Sequence, residues 1–219
     1  MTDAHCHLRR GETRHFICNA RAPFASPDVA FYGTHPWFSD TFDAAALRAL
    51  LAADPAGGVG EIGLDRLKAR VISPEMRAAF DAQLAIAAAF ARPVVLHGAK
   101  CWGEVVRACA PYAGRIPAFL FHGFSRSGGL LPAIVGLNGF VSVGPALLND
   151  HAVNYRALVR ELPLDRLLVE SDATEETTAD APRVAAVAAK LAEVRALPFD
   201  ELVRTLEANA ARFVTAVGP

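Results

Sequence analysis

Six residues of this chain carry side chains that could together hold divalent cations: His5, His7, Glu61, His97, His122 and Asp172. The first two stand in Asp3-Ala4-His5-Cys6-His7. Positions i and i+2 of a strand face the same way, so His5 and His7 project together. Asp3 shares their face one layer below, and Cys6 points away and is expected to be no ligand. Two adjacent imidazoles with a carboxylate nearby make half of a metal site, although a His-x-His pair also arises by chance on surface strands. Glu61 lies inside the apolar run of Gly60-Glu61-Ile62-Gly63-Leu64-Asp65. A carboxylate there is costly unless it is paired or bound to a cation, and an Arg or His partner would serve as well as a metal. Gly60 and Gly63 allow backbone or ligand to approach closely.

His97 and His122 each close an apolar run with the same His-Gly step, Val94-Val95-Leu96-His97-Gly98 and Phe119-Leu120-Phe121-His122-Gly123. One such histidine is more often structural; the repetition argues for ligands. Asp172 follows Leu167-Leu168-Val169-Glu170-Ser171, where the alternative role is the N-cap of a following helix. Jointly the set suits two divalent ions ~3.5–4 Å apart with Glu61 bridging them. Zinc, manganese or magnesium would accept these N/O donors, water completing their shells. His35, in Gly33-Thr34-His35-Pro36, is expected to support the ligands or to face substrate; His15 and His151 are given no role.

The elements that must position these residues are short apolar runs alternating with helical patterns. Strands are expected at Thr2–His7, His15–Asn19, Val29–Gly33, Val59–Leu64, Val94–His97, Phe119–His122, Phe140–Gly144 and Leu167–Glu170. Their runs lack period-2 alternation, as parallel strands buried on both faces do. Helices are expected at Phe42–Ala53, Pro74–Ala91, Trp102–Ala110, Leu130–Leu137, Tyr155–Glu161, Ala181–Arg195 and Phe199–Val214, with Ser73 as an N-cap before Pro74. Between Asn19 and Asp28 two prolines leave no room for a helix. Eight βα units form either an open doubly wound sheet or a closed barrel. Polar residues at most strand C-termini favour the (β/α)₈ TIM-like barrel, whose strand ends converge on one mouth. Asp172, on the last strand, then returns beside His5 and His7.

The 219 residues are 53% hydrophobic, and one α/β domain spanning 1–219 is the expected organisation. A formal net charge of −1 excludes a basic nucleic-acid coat, so any phosphate binding must be local. Four cysteines without CxxC spacing read as reduced thiols. The opening residues lack the apolar core of a signal peptide, and no apolar run is long enough to span a membrane. A cytoplasmic protein is expected.

A divalent ion would ionise a water near neutral pH, and hydroxide would attack phosphorus or a carbonyl carbon. Asp172 is expected to act as general base or proton shuttle. A phosphodiester would also need cations at the mouth. Arg9, Arg10, Arg66, Lys100 and Arg126 all follow strands and suit phosphate, though each could equally be solvated rim. Trp37, Phe38, Trp102 and Phe124 could stack bases, with core packing the alternative for Trp102.

These segments, in order, resemble the TatD family of metal-dependent deoxyribonucleases within the wider amidohydrolase-like superfamily. The resemblance runs through Asp3-Ala4-His5-Cys6-His7-Leu8, Gly33-Thr34-His35-Pro36, Gly60 to Asp65, Arg92 to His97, Phe121-His122-Gly123-Phe124, Pro163 to Asp172 and Asn209-Ala210-Ala211-Arg212-Phe213. It implies a TIM-like barrel with one or two metals on His5, His7, Glu61, His97, His122 and Asp172, and exonuclease action on single-stranded DNA or DNA ends. Superfamily relatives often bridge metals with a carboxylated lysine, but Lys68, Lys100 and Lys190 do not fall at the Glu61 position. The chain departs from the family at His97-Gly98-Ala99-Lys100, at Ala173-Thr174-Glu175-Glu176 and in a shortened Arg66-Leu67-Lys68. It is a compact branch whose metal chemistry carries over better than its substrate. The alternatives are a hydrolase of a small ester, amide or lactone on the same site, and a binding protein with a structural metal.

Overall fold

The computed structural model describes residues 1–9, 14–68, 70–125, 128–174 and 184–215. Among the described residues, eight parallel strands pair in chain order: β1 (Thr2–Cys6), β2 (Arg14–Cys18), β3 (Val29–Tyr32), β4 (Gly58–Asp65), β5 (Val94–Ala99), β6 (Phe119–Phe121), β7 (Gly139–Val143) and β8 (Leu167–Val169). They form a nearly closed barrel. The seam between β8 and β1 is bridged by backbone bonds from His7 and Leu8 to the Ala173 carbonyl and from Asp172 to the His5 carbonyl. The buried carboxylate of Asp3 adds bonds from the Ser171 amide (2.9 Å) and hydroxyl (2.5 Å). The helices are α1 (Ala44–Ala53), α2 (Pro74–Ala89), α3 (Trp102–Cys109), α4 (Leu131–Gly136), α5 (Val153–Glu161), α6 (Val184–Arg195) and α7 (Phe199–Thr215). Of the α6 pattern, residues 181–183 lie outside the described residues.

Local chemistry sets the boundaries. Asp43 begins α1 two residues later than its hydrophobic pattern, because its Oδ1 accepts from the amides of Ala45 and Ala46. A 3₁₀ turn over Pro36–Thr41 precedes it. Ser73 caps α2 as expected, accepting from the Met76 amide. No helix intervenes between β2 and β3.

Inside the barrel, Phe16, Phe31, Val95, Leu120, Phe140 and Leu168 pack against Phe213 of α7. The Phe213 ring stacks on Phe31 at 5.8 Å and 8°, and meets Phe16 and Phe140 at 5.9 and 5.7 Å. Fully buried aromatics of this size dominate core energetics. Asn209, one turn earlier, donates to the carbonyls of Leu164 and Leu167 and docks α7 against β8. The Asn209 to Phe213 motif is therefore a packing device.

Candidate metal centre

The register along the barrel breaks where the ligand candidates sit. β1 slips against β2 between Asp3 and Cys6, and β4 slips against β5 between Val59 and Ile62. Such irregularities re-aim side chains beside functional sites. Gly60 lets β4 lie close to β5: a Cβ there would meet Val95 Cβ at 2.7 Å. At Gly63 a Cβ would stand 2.0 Å from the His97 carbonyl oxygen. The side chain of Asn19, at the end of β2, donates to the carbonyls of Gly33 and Glu61 and ties three strand ends together.

These constraints aim Glu61 into the centre of a ring of imidazoles. Its Oε2 lies 3.0 Å from His7 Nε2 and 3.5 Å from His5 Nε2. Its Oε1 lies 2.6 Å from His122 Nε2, 2.7 Å from His97 Nδ1 and 3.7 Å from His35 Nε2. One carboxylate thus divides its two oxygens between two groups of histidines. Asp172 Oδ1 approaches from the seam, 3.3 Å from His5 Nε2. Among the described residues, three overlapping sets hold their ligand atoms within 4.8 Å of one another: His5, His7 and Glu61; His5, His122 and Asp172; His35, Glu61 and His97. His5 Nε2 is buried without a hydrogen bond although carboxylate oxygens surround it. A buried polar atom normally finds a partner, and a cation at that point would provide one. The donor set of imidazoles and carboxylates fits a divalent ion.

Outer groups orient the imidazoles. His97 Nε2 faces Asp65 Oδ2 at 3.2 Å, and His122 Nδ1 faces Glu170 Oε1 at 3.6 Å. Cys18 Sγ is 3.2 Å from His5 Nδ1. Carboxylates behind metal-binding histidines fix ring orientation and tautomer. Glu170 is itself held by the Ser142 hydroxyl.

The buried carboxylates and imidazoles shift one another. Burial would raise the Glu61 carboxyl, but the charges of His122 and His5 hold it well below the ordinary range. Burial lowers His122 and His97, and their carboxylate neighbours more than reverse this. His35 is pushed down to about 4, chiefly by burial, and is neutral at physiological pH.

His35, read from the sequence as a support or substrate-facing group, stands in the cluster with its ring 4.6 Å from that of His97. The expected rim cations fare differently. Arg9 does not reach the mouth: its Nε pairs at 2.9 Å with Asp28, at the start of β3 and the opposite end of the barrel. Arg66 is bound to Glu104, and with Lys100 it lines a separate depression of about 340 Å³. Arg126 and Arg10 lie outside the described residues. Sequence reasoning passed over Asp65, Glu170, Cys18 and Asn19 as supports of the cluster. The signal available for Asp65 and Glu170 was a carboxylate at the end of an apolar strand. Nothing in the sequence pairs Cys18 with His5. Cys6 turns its thiol to the Phe16 carbonyl. The cleft above the cluster has a volume of about 780 Å³ and is lined by His7, Arg21, His35, Trp37, Phe38 and Asp172, among others.

The family described as TatD related DNase matches residues 17–215. The 3'-5' ssDNA/RNA exonuclease TatD of Edwardsiella piscicida is 30% identical over 68% of this chain and 57% of its own length. The enzyme of the same name from Dickeya dadantii is 33% identical over 64% of this chain and 55% of its own. This chain therefore spans a little over half the length of these curated relatives. The crystal structure of a TatD homologue from Escherichia coli K12 superposes with a TM-score of 0.79 at 23% identity, covering 97% of this chain and 96% of that one; at that identity the likeness is one of fold.

Proposed function

The chain belongs to the TatD-related DNase family, and from that membership we propose that it is a divalent-metal-dependent hydrolase that cleaves phosphodiester bonds at the ends of single-stranded DNA. The observation that carries this reading is the division of Glu61, one oxygen toward His5 and His7 and the other toward His97 and His122. A carboxylate so divided would be available to hold one or two divalent cations together with these histidines. His5, His7, Glu61, His97, His122 and Asp172 are the proposed ligands, with zinc, manganese or magnesium the candidates and His35 in reserve beside Glu61.

A divalent ion bound there supplies Lewis acidity, which lowers the pKa of a water and stabilises charge on the scissile oxygens. The chain's own residues do the rest. Glu61 is buried and stays ionised, so it holds position and moves no proton. Asp172 differs: its side chain is 51% exposed and lines the cleft. Burial alone would raise its carboxyl, but the His5 imidazole 3.3 Å away holds it below its ordinary value. An ionised carboxylate between cleft and cluster is placed to take the proton of the attacking water and return it to the leaving oxygen. Asp65 and Glu170 keep the His97 and His122 rings aimed at the centre.

A second reading, hydrolysis of a small ester, amide or lactone, draws support from the rim. With Arg9 and Arg66 engaged elsewhere, Arg21 is the one arginine or lysine among the described residues that line the cleft. End-labelled single-stranded DNA, tested beside aryl esters and lactones, separates the two. The first reading expects metal-dependent shortening of DNA from one end; turnover confined to acyl substrates overturns it.

We further propose that residues 1–219 form one domain, supported by the docking of α7 beneath β1, where Glu207 accepts from the amide and hydroxyl of Thr2. No described helix is long and apolar enough to cross a membrane. The four buried, unpaired cysteines suit the reducing cytoplasm.

A further inference from the structure

The cleft beside the cluster carries two large aromatic side chains that no core absorbs. Trp37 and Phe38 are 47% and 57% exposed and both line it. Trp102 and Phe124, the other aromatics that the sequence offered for stacking, are buried and pack against each other at 5.4 Å. Trp37 is exposed but not loose. Its Nε1 donates to Asp65 Oδ2 at 2.6 Å, and Asp65 Oδ1 accepts from the amides of Leu67 and Lys68. Lys68 Nζ stands 3.7 Å from the indole centroid, and the His35 ring meets the indole edge-on. An aromatic surface whose orientation is set before any ligand arrives lowers the entropy cost of stacking on it. Because Asp65 also faces His97, the same carboxylate places this surface next to the cluster.

Resting on the hydrolytic reading above, we propose that Trp37 and Phe38 are a stacking platform for an unpaired nucleobase next to the scissile phosphodiester, with Lys68 and Arg21 supplying positive charge to the adjoining phosphates. Lys68 lies over one face of the indole, leaving the other for a base, and Arg21 lines the same cleft; neither makes an ion pair among the described residues. Every base offers a π-face, so such a platform holds any base without reading its identity. A base inside a duplex must first leave its stack, which costs free energy, so the platform favours single strands. The function assigned to Trp37 is positioning of substrate, distinct from the metal chemistry.

The test uses the metal-loaded protein. Trp37 and Trp102 are its two tryptophans, and Trp102 is buried, so a ligand at the platform changes the emission of Trp37. Thymidine 5'-phosphate and deoxyribose 5-phosphate share their phosphate and differ by the base. The proposal expects the first to change the fluorescence, the second to leave it unmoved, and Trp37→Phe to abolish the response. In turnover of a short oligonucleotide, Trp37→Leu raises KM roughly 5- to 150-fold with little change in kcat, the range for one stacked base. Trp37→Phe retains the aromatic face and restores KM, and Phe38→Ala, which leaves the Asp65 bonds intact, raises it. Equal fluorescence responses to both phosphates overturn the platform. So does Trp37→Phe raising KM as much as Trp37→Leu, which would assign the residue to anchoring Asp65. DNA degradation without any base-dependent fluorescence change sinks the platform and leaves the hydrolase; the fluorescence change without degradation does the reverse.

Discussion

Asp172 Oδ1 lies 3.3 Å from His5 Nε2, so the residue that leaves the last strand of the barrel meets the first. The Asp172 amide donates to the His5 carbonyl, so backbone and side chain both fix the approach. This contact gives the cluster its one half-exposed carboxylate. Asp172→Asn keeps the shape and removes the proton acceptor. It is expected to lower kcat by about 10²–10⁴-fold, the range for loss of a general base, while ions held through Glu61 remain. Steady-state kinetics with elemental analysis checks both, and undiminished turnover would show that Asp172 moves no proton.

Divalent ions should stabilise the fold, because the proposed ligands come from β1, β4, β5 and the turns after β1, β6 and β8. An ion at a hundred times its Kd contributes about 2.7 kcal/mol to a folded protein, which for a chain of this size raises Tm by about 5–10 °C. Thermal melts with chelator and with added zinc, manganese or magnesium measure the rise. His5→Ala should remove most of it. A rise that survives in His5→Ala would place the ion elsewhere.

Asp65 is expected to act through His97. It faces Nε2 of that ring while Nδ1 faces Glu61, and it also holds Trp37. Removing an outer carboxylate typically weakens metal binding about 10–100-fold. Asp65→Ala should show that loss in competition with a chromophoric chelator. Unchanged affinity would leave Asp65 a structural acceptor for the Leu67 and Lys68 amides and the Trp37 indole.

Phe213 tests the barrel rather than the site. Truncating a buried phenylalanine costs about 3–5 kcal/mol through lost transfer energy and the cavity left behind. Phe213→Ala should shift the urea midpoint accordingly and leave kcat of the folded fraction intact, because the ring packs on Phe16, Phe31 and Phe140 and not on the cluster.

Much of this architecture was legible in the sequence, since two-sided burial of parallel strands writes itself as continuous apolar runs. The runs around Val94 and Phe119 gave strands ending within two residues of their expected positions. The cluster of imidazoles and carboxylates was legible for a related reason: a charged or imidazole side chain in such a run violates burial and so stands out, as Glu61 does. Contacts between residues that are each ordinary in place were hidden. Cys18 behind His5 and Asn19 across three strand ends depend on register slips that no local pattern encodes. Arg9 shows the opposite limit. Its place after β1 suggested the mouth, but a long flexible side chain follows the nearest buried charge, and Asp28 lies at the far end of the barrel.

In the proposed function the Glu61 cluster, loaded with a divalent ion, cleaves phosphodiesters in single-stranded DNA. The most direct measurement is degradation of an end-labelled single-stranded oligonucleotide by wild type and His97→Ala, each first chelated and then resupplied with magnesium, manganese or zinc. Chelated wild type is expected to be inactive, one of the cations to restore shortening, and His97→Ala to stay at least tenfold slower with every cation, on the order of the loss seen when a metal site is disturbed. Shortening that persists under chelation, or that His97→Ala matches, would contradict the proposed function.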